Sequence, residues 1–88
     1  MPYIKKEYRE VIAEALADFK KHFGSDGKYI TSGFLNYIIT KILMNTEPEN
    51  YEDYNKLIGV LECCKLEMYR RAVAKYEDGK IEVNGDVY

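Results

Sequence analysis

Tryptophan is absent from this 88-residue sequence, histidine occurs once, and both cysteines, Cys63 and Cys64, are adjacent. Neighbouring side chains on a helix point about 100° apart, so these two thiols are not expected to pair with each other. The sequence contains no cysteine–histidine spacing typical of a zinc site. We therefore predict reduced thiols, as in the cytoplasm, and neither a metal nor a cofactor.

Long apolar runs and a surplus of positive charge are also absent. No run approaches the roughly 20 apolar residues that span a membrane. The first residues, MPYIKKEYRE, lack the apolar centre of a signal peptide. The net charge of −2 argues against a DNA or RNA duplex as the partner, because such proteins usually carry a basic face. We predict a cytoplasmic protein that does not bind membranes.

Recognisable catalytic motifs are missing as well. The single histidine, His22, falls near the end of a predicted helix, where a cation is favourable. Ser25 and Ser32 occupy turn or cap positions, and neither cysteine has a visible histidine partner. The glycines at positions 24 and 27 do not have the spacing of a phosphate-binding loop. The sequence therefore predicts that the protein is not an enzyme.

The sequence does contain three segments with helical periodicity, which predict one all-α domain over residues 1–88. The first helix is expected over residues 5–22, followed by a stop at Gly24 and a turn at residues 25–27. The second is expected over residues 32–45, capped by Thr31 or Ser32. The third is expected from a cap at Asn50 to about residue 76.

Short extended tails are predicted at both ends of this three-helix domain. After position 76, Gly79 indicates the end of the helix. Ile81 and Val83 then alternate with charged or polar residues, which is typical of an extended segment. The Asn84-Gly85 pair is a tight-turn signal, so a small hairpin is one form that the C-terminal tail can take. Both tails carry apolar residues and are expected to lie against the helices.

The second helix is unusually apolar, because Lys41 is the only charged residue between Thr31 and Thr46. A helix that is apolar on all sides is normally covered on more than one of them. With only two other helices available, we predict that another copy covers the remaining surface. The expected assembly is a homo-oligomer, either a dimer or a tetramer.

Lys65 falls within the apolar face predicted for the third helix, so it is expected to be partly buried and paired. One interpretation is an ion pair with Glu62 at the edge of the core, with the lysine head reaching water. The other is a cation held for a phosphate or carboxylate ligand.

Tyrosine is abundant, with nine residues, and several tyrosines lie near cations. Aromatic rings stack on bases and cations contact phosphates, so this combination is typical of nucleotide binding. The alternative is ordinary packing and solvated surface charge. The candidate ligand-binding residues are Tyr3, Lys5, Lys65, Tyr69, Arg70, Arg71, Tyr76 and Tyr88. If both tails fold back, the tyrosines would gather near the cations.

Four segments carry a resemblance that spans nearly the whole chain. They are MPYIKKE at the start, LNYIIT at residues 35–40, IGVLECCKLEMYRR at residues 58–71, and YEDGKIEVNGDVY at the end. Together they resemble a family of small helical phage and bacterial proteins. That family is similar to the anti-CBASS sponges, tetrameric phage counter-defence proteins that sequester cyclic nucleotide immune signals.

The resemblance implies a sponge that binds a cyclic dinucleotide, such as 3′,3′-cGAMP, without cleaving it in the host cytoplasm. The sequence departs from a strong nucleotide signature because it has no glycine-rich phosphate loop. Two other functions remain open at this point. One is a protein–protein interaction module of phage or bacterial origin, and the other is a minor virion or assembly component.

Overall fold

The computed structural model describes residues 3–23 and 30–88, which form helices joined by short connections. These residues contain no strand, so the all-α prediction is confirmed. The chain divides into two compact units, Tyr3–Pro48 and Glu49–Tyr88. The predicted stop at Gly24 and the turn at residues 25–27 lie outside the described residues.

The first unit contains α1, Lys6–Phe23, and α2, Ser32–Met44. The predicted bounds of both helices are confirmed to within one residue. The Thr31 hydroxyl accepts a hydrogen bond from the Phe34 backbone N–H at 3.2 Å, which confirms the first of the two predicted caps. Before α1, residues 3–5 are not helical, and the Ile4 carbonyl accepts a hydrogen bond from Arg9.

Three phenylalanines join the two helices of this unit. The ring centroids of Phe19 and Phe23 lie 4.8 Å apart on α1, and Phe23 meets Phe34 of α2 edge-on at 4.8 Å. Such tilted and edge-on contacts match the charge distribution of aromatic rings. All three side chains are half-buried, so this cluster is the small apolar centre of the first unit.

The second unit is a long helix in three consecutive parts: α3, Tyr51–Met68, a π turn, Tyr69–Val73, and α4, Ala74–Asn84. It begins as predicted at Asn50, whose side chain accepts a hydrogen bond from the Asp53 N–H at 2.9 Å. The Asp53 carboxylate in turn accepts from the Glu49 N–H at 3.0 Å. This reciprocal pair satisfies backbone donors at the start of the helix.

The predicted helix end near residue 76 is wrong, and so is the hairpin considered for the C-terminal tail, because the helix continues through Gly79 to Asn84. A mid-helix glycine costs only about 1 kcal/mol relative to alanine, so the helical residues on either side of Gly79 can offset that cost and continue the helix. The helix ends instead at Gly85, which has a φ of 83° and donates its N–H to the Ile81 carbonyl at 2.8 Å. Glycine adopts positive φ at no steric cost, so the Asn84-Gly85 signal marks a helix end. Only residues 85–88 form the extended tail.

No side chain in residues 3–23 and 30–88 is fully buried. In the second unit Leu57 and Leu61 are half-buried, whereas other apolar side chains of α3, such as Ile58 and Met68, are exposed. Lys65 pairs with Glu62 at 2.9 Å, which confirms the predicted ion pair. Its side chain is 68% exposed, so the predicted partial burial is wrong for a single copy.

Candidate functional site

The π turn between α3 and α4 holds three of the eight candidate residues, Tyr69, Arg70 and Arg71. The Ala74 backbone N–H donates to the Tyr69 carbonyl, five residues earlier, which makes this turn wider than its neighbours. Single π turns inside α-helices occur frequently at functional sites. We call residues 65–76, from Lys65 to Tyr76, the tyrosine–cation segment.

One carboxylate holds both arginines of this segment. Oε1 of Glu67 accepts from Arg70 at 3.1 Å and from Arg71 at 3.5 Å. Two guanidinium groups against one carboxylate leave one positive charge uncompensated. Both arginines are mostly exposed, so each ion pair contributes no more than about 0.5 kcal/mol. Little free energy is therefore lost when an anionic ligand replaces Glu67 as the partner of these arginines.

Tyr69 is held by a carboxylate on the following helix segment. Its hydroxyl donates to Oε2 of Glu77 at 3.0 Å. This hydrogen bond, the negative charge of Glu77 and a smaller contribution from Asp78 raise the pKa of the Tyr69 hydroxyl. The contact fixes the polar end of the side chain along α4 and leaves the ring half-exposed.

Tyr76 has a cationic neighbour that the sequence analysis did not select. Nζ of Lys80 lies 5.5 Å from the centroid of the Tyr76 ring, within the range of a cation–π contact. The i, i+4 spacing of these residues was the signal that could have identified Lys80. Glu67 and Glu77 were also missed, although Glu67 has the same helical spacing to Arg71.

The remaining candidates are not part of the π turn itself. Lys65 is paired with Glu62, one helical turn earlier. Tyr88 is fully exposed beyond the end of α4, and Asn84 is fourteen residues after Arg70, about 21 Å along the helix at 1.5 Å per residue. The predicted gathering of Tyr88 with the arginines is therefore wrong within one copy. Tyr3 and Lys5 belong to the first unit, just before α1.

The chemistry available in the tyrosine–cation segment is that of binding. It offers exposed rings for stacking and guanidinium groups for anions. Across the described part of the chain, no three histidine, cysteine or acidic side chains cluster as metal ligands do. Nor does any helix in residues 3–23 and 30–88 combine the length and apolar character needed to cross a membrane.

Comparison with known proteins identifies one family. Residues 1–87 match the domain of unknown function DUF6899, and the chain belongs to that family. No curated protein and no solved structure matches the chain.

Proposed function

We propose that this member of the DUF6899 family is a non-catalytic sponge that sequesters a cyclic dinucleotide, such as 3′,3′-cGAMP, in the cytoplasm. The observation that carries the proposal is the π turn, which places an exposed tyrosine beside two arginines that share one carboxylate. The sequence resemblance to phage anti-CBASS sponges supplies the ligand class. The lack of a recognisable nucleophile in the sequence favours storage over turnover.

In this proposal the ligand phosphates replace Glu67 as the partner of Arg70 and Arg71. Arginine suits this exchange, because its planar fork forms paired, charge-assisted hydrogen bonds with phosphate. Each base stacks on a tyrosine ring, which is worth about 1–3 kcal/mol per base. Tyr69 and Tyr76 are the tyrosines closest to the arginines along the sequence. Glu77 restrains Tyr69 by accepting its hydroxyl, which lowers the conformational entropy lost on binding.

Self-assembly is part of the proposal. A cyclic dinucleotide has two bases and two phosphates related by two-fold symmetry, so two tyrosine–cation segments related by the same symmetry can each bind one half of it. In a dimer or tetramer whose copies are related by two-fold axes, two copies present the same groups to the two halves of the ligand. The absence of any fully buried side chain among the described residues of one copy supports such an assembly.

Isothermal titration calorimetry with 3′,3′-cGAMP and related cyclic nucleotides tests this function. The Arg70→Gln/Arg71→Gln variant is expected to weaken binding about tenfold or more, since hydrogen bonds to charged groups contribute about 1.5–3 kcal/mol each. Lys20→Gln/Lys21→Gln removes the same charge from α1 and should leave affinity nearly unchanged. Chromatography of ligand released by heat should recover the intact nucleotide. If no cyclic oligonucleotide binds at tens of micromolar, the sponge function is rejected.

A protein–protein interaction module is the second candidate function. The observation that favours it is the set of exposed apolar side chains in the second unit, among them Ile58, Leu66 and Met68. Larger exposed apolar patches usually mark interaction sites. Retention of one specific host protein in a pull-down, lost in the Ile58→Asp variant, together with no bound nucleotide, would favour this candidate over the sponge.

A further inference from the structure

We infer that Glu67 is a specificity-determining residue of the proposed ligand site and makes that site prefer phosphodiesters to phosphate monoesters. The inference rests on the function proposed above and names the class of phosphate that the site selects. A phosphodiester carries a single negative charge near neutral pH, whereas a monoester carries about 1.5 to 2, because its second pKa is about 6. Charge therefore distinguishes a cyclic dinucleotide from the nucleotides that end in a free phosphate.

The charge balance of the site is the first observation. Oε1 of Glu67 lies 3.1 Å from Nη2 of Arg70 and 3.5 Å from Nη1 of Arg71, so these three side chains together carry a single net positive charge. The wider stretch has the same balance, since residues 67–80 contain four cations and three carboxylates. A phosphodiester neutralises that charge, whereas a monoester leaves an excess of negative charge.

Glu67 stays close to the arginines when a phosphate takes its place. All three residues belong to one continuous helix, in which Arg70 and Arg71 are three and four residues after Glu67. At 1.5 Å per residue this is about 4.5–6 Å along the axis, which is shorter than the Debye length of about 8 Å at physiological salt. The Glu67 side chain can turn aside, but its charge remains in the site. It therefore repels a bound phosphate, and it repels a doubly charged phosphate about twice as strongly.

The same balance matches the two halves of a cyclic dinucleotide. Each half contributes one phosphodiester, and each tyrosine–cation segment offers one uncompensated positive charge from its arginines. Two segments related by a two-fold axis therefore neutralise the whole ligand. In the linear form of the same dinucleotide, one phosphodiester has been opened to a terminal monoester, which adds about one negative charge. The linear form keeps both bases, so it is a suitable probe of charge at this site.

Isothermal titration calorimetry with 3′,3′-cGAMP and its linear, 5′-phosphorylated form tests the inference. Glu67→Gln keeps an oxygen that can accept from the arginines but removes the negative charge. It should shift the ratio of the two dissociation constants about threefold or more in favour of the linear form, as expected for one charge at about 6 Å in water. The greater flexibility of the linear form affects wild type and variant alike, so it cancels in this comparison.

Two matched variants separate charge from structure. Glu67→Asp keeps the charge on a shorter side chain and should keep the wild-type preference for the cyclic form. Glu52→Gln removes the same charge in the first turn of α3, fifteen residues before Glu67 and about 22 Å away along the helix. That distance exceeds the Debye length, so this variant should leave the preference unchanged. Circular dichroism should show the same helix content in every variant.

The outcomes for Glu67 and for the sponge are distinct. If 3′,3′-cGAMP binds and Glu67→Gln leaves the preference for the cyclic form unchanged, the role of Glu67 is rejected while the sponge stands. If neither dinucleotide binds, the sponge is rejected. NMR titration of the arginine side chains with dimethyl phosphate and methyl phosphate then decides the role of Glu67, because these probes carry one and about two charges without bases. A Glu67→Gln variant that does not shift the affinity ratio towards methyl phosphate by about threefold would overturn the inference.

Discussion

Glu67 and Glu77 are the residues that organise the tyrosine–cation segment. Glu67 gathers Arg70 and Arg71 on one oxygen, and Glu77 anchors the Tyr69 hydroxyl. The Glu67 contacts follow the i, i+3 and i, i+4 rule, as does the Glu62–Lys65 pair that the sequence predicted. The Tyr69–Glu77 contact does not follow it. In a regular α-helix these residues point about 80° apart, and the extra residue of the π turn brings them closer to alignment.

The Glu77→Gln variant should lower the pKa of Tyr69 towards that of a free tyrosine. The Tyr69 pKa is raised in the wild type chiefly by the hydrogen bond to Glu77 and then by its negative charge. The Glu77 contact therefore stabilises the fold below the usual tyrosine pKa of about 10, and that contribution is lost as pH rises through the higher folded value. Tyrosine-selective NMR titration measures the change. Glu82→Gln should not shift the Tyr69 pKa, and an equal shift there would contradict the assignment.

At the scale of elements, periodicity and caps predicted α1, α2 and the start of α3. Their apolar spacing and the Thr31 and Asn50 caps are local signals that the structure preserves. The end of the long helix was missed because Gly79 and the alternating Ile81 and Val83 favour a turn and a strand locally. Continuation of the helix from Ala74 outweighed those preferences. The π turn has no sequence signal that we can identify.

Gly79 within α4 and Gly85 directly after it allow a matched test of this helix end. Gly79→Ala should raise the free energy of unfolding by about 1 kcal/mol, because the added methyl meets open space and alanine favours helix. Gly85→Ala should lower it by about 1 kcal/mol or more, because Gly85 has a φ of 83°. Urea unfolding followed by circular dichroism measures both. Stabilisation by Gly85→Ala would mean that α4 does not end there.

At the scale of the whole molecule, the proposed ligand site depends on charges that the chain already pairs. The sequence predicted Arg71 as a ligand-binding residue, and the structure adds Glu67, whose carboxylate lies 3.5 Å from the Arg71 guanidinium. An anionic ligand therefore competes with Glu67 for the arginine.

Binding of an anionic ligand should weaken as the salt concentration rises. Raising the sodium chloride concentration from about 0.05 M to 0.5 M shortens the Debye length about threefold and screens the attraction between the phosphates and the arginines. Calorimetry with 3′,3′-cGAMP at the two concentrations measures the change. Equal affinity at both concentrations would contradict a contact between the phosphates and Arg70 or Arg71.

Thermal stability should depend on protein concentration. In one copy, no side chain in residues 3–23 and 30–88 is fully buried, and apolar burial is the dominant favourable contribution to folding. If assembly supplies the missing burial, mass action raises the melting temperature as concentration increases. Differential scanning calorimetry over about a hundredfold range of concentration should therefore show a rising Tm for the wild type. A Tm that is high and independent of concentration in the wild type would mean that a single copy is stable by itself, and the proposed assembly would lose its energetic basis.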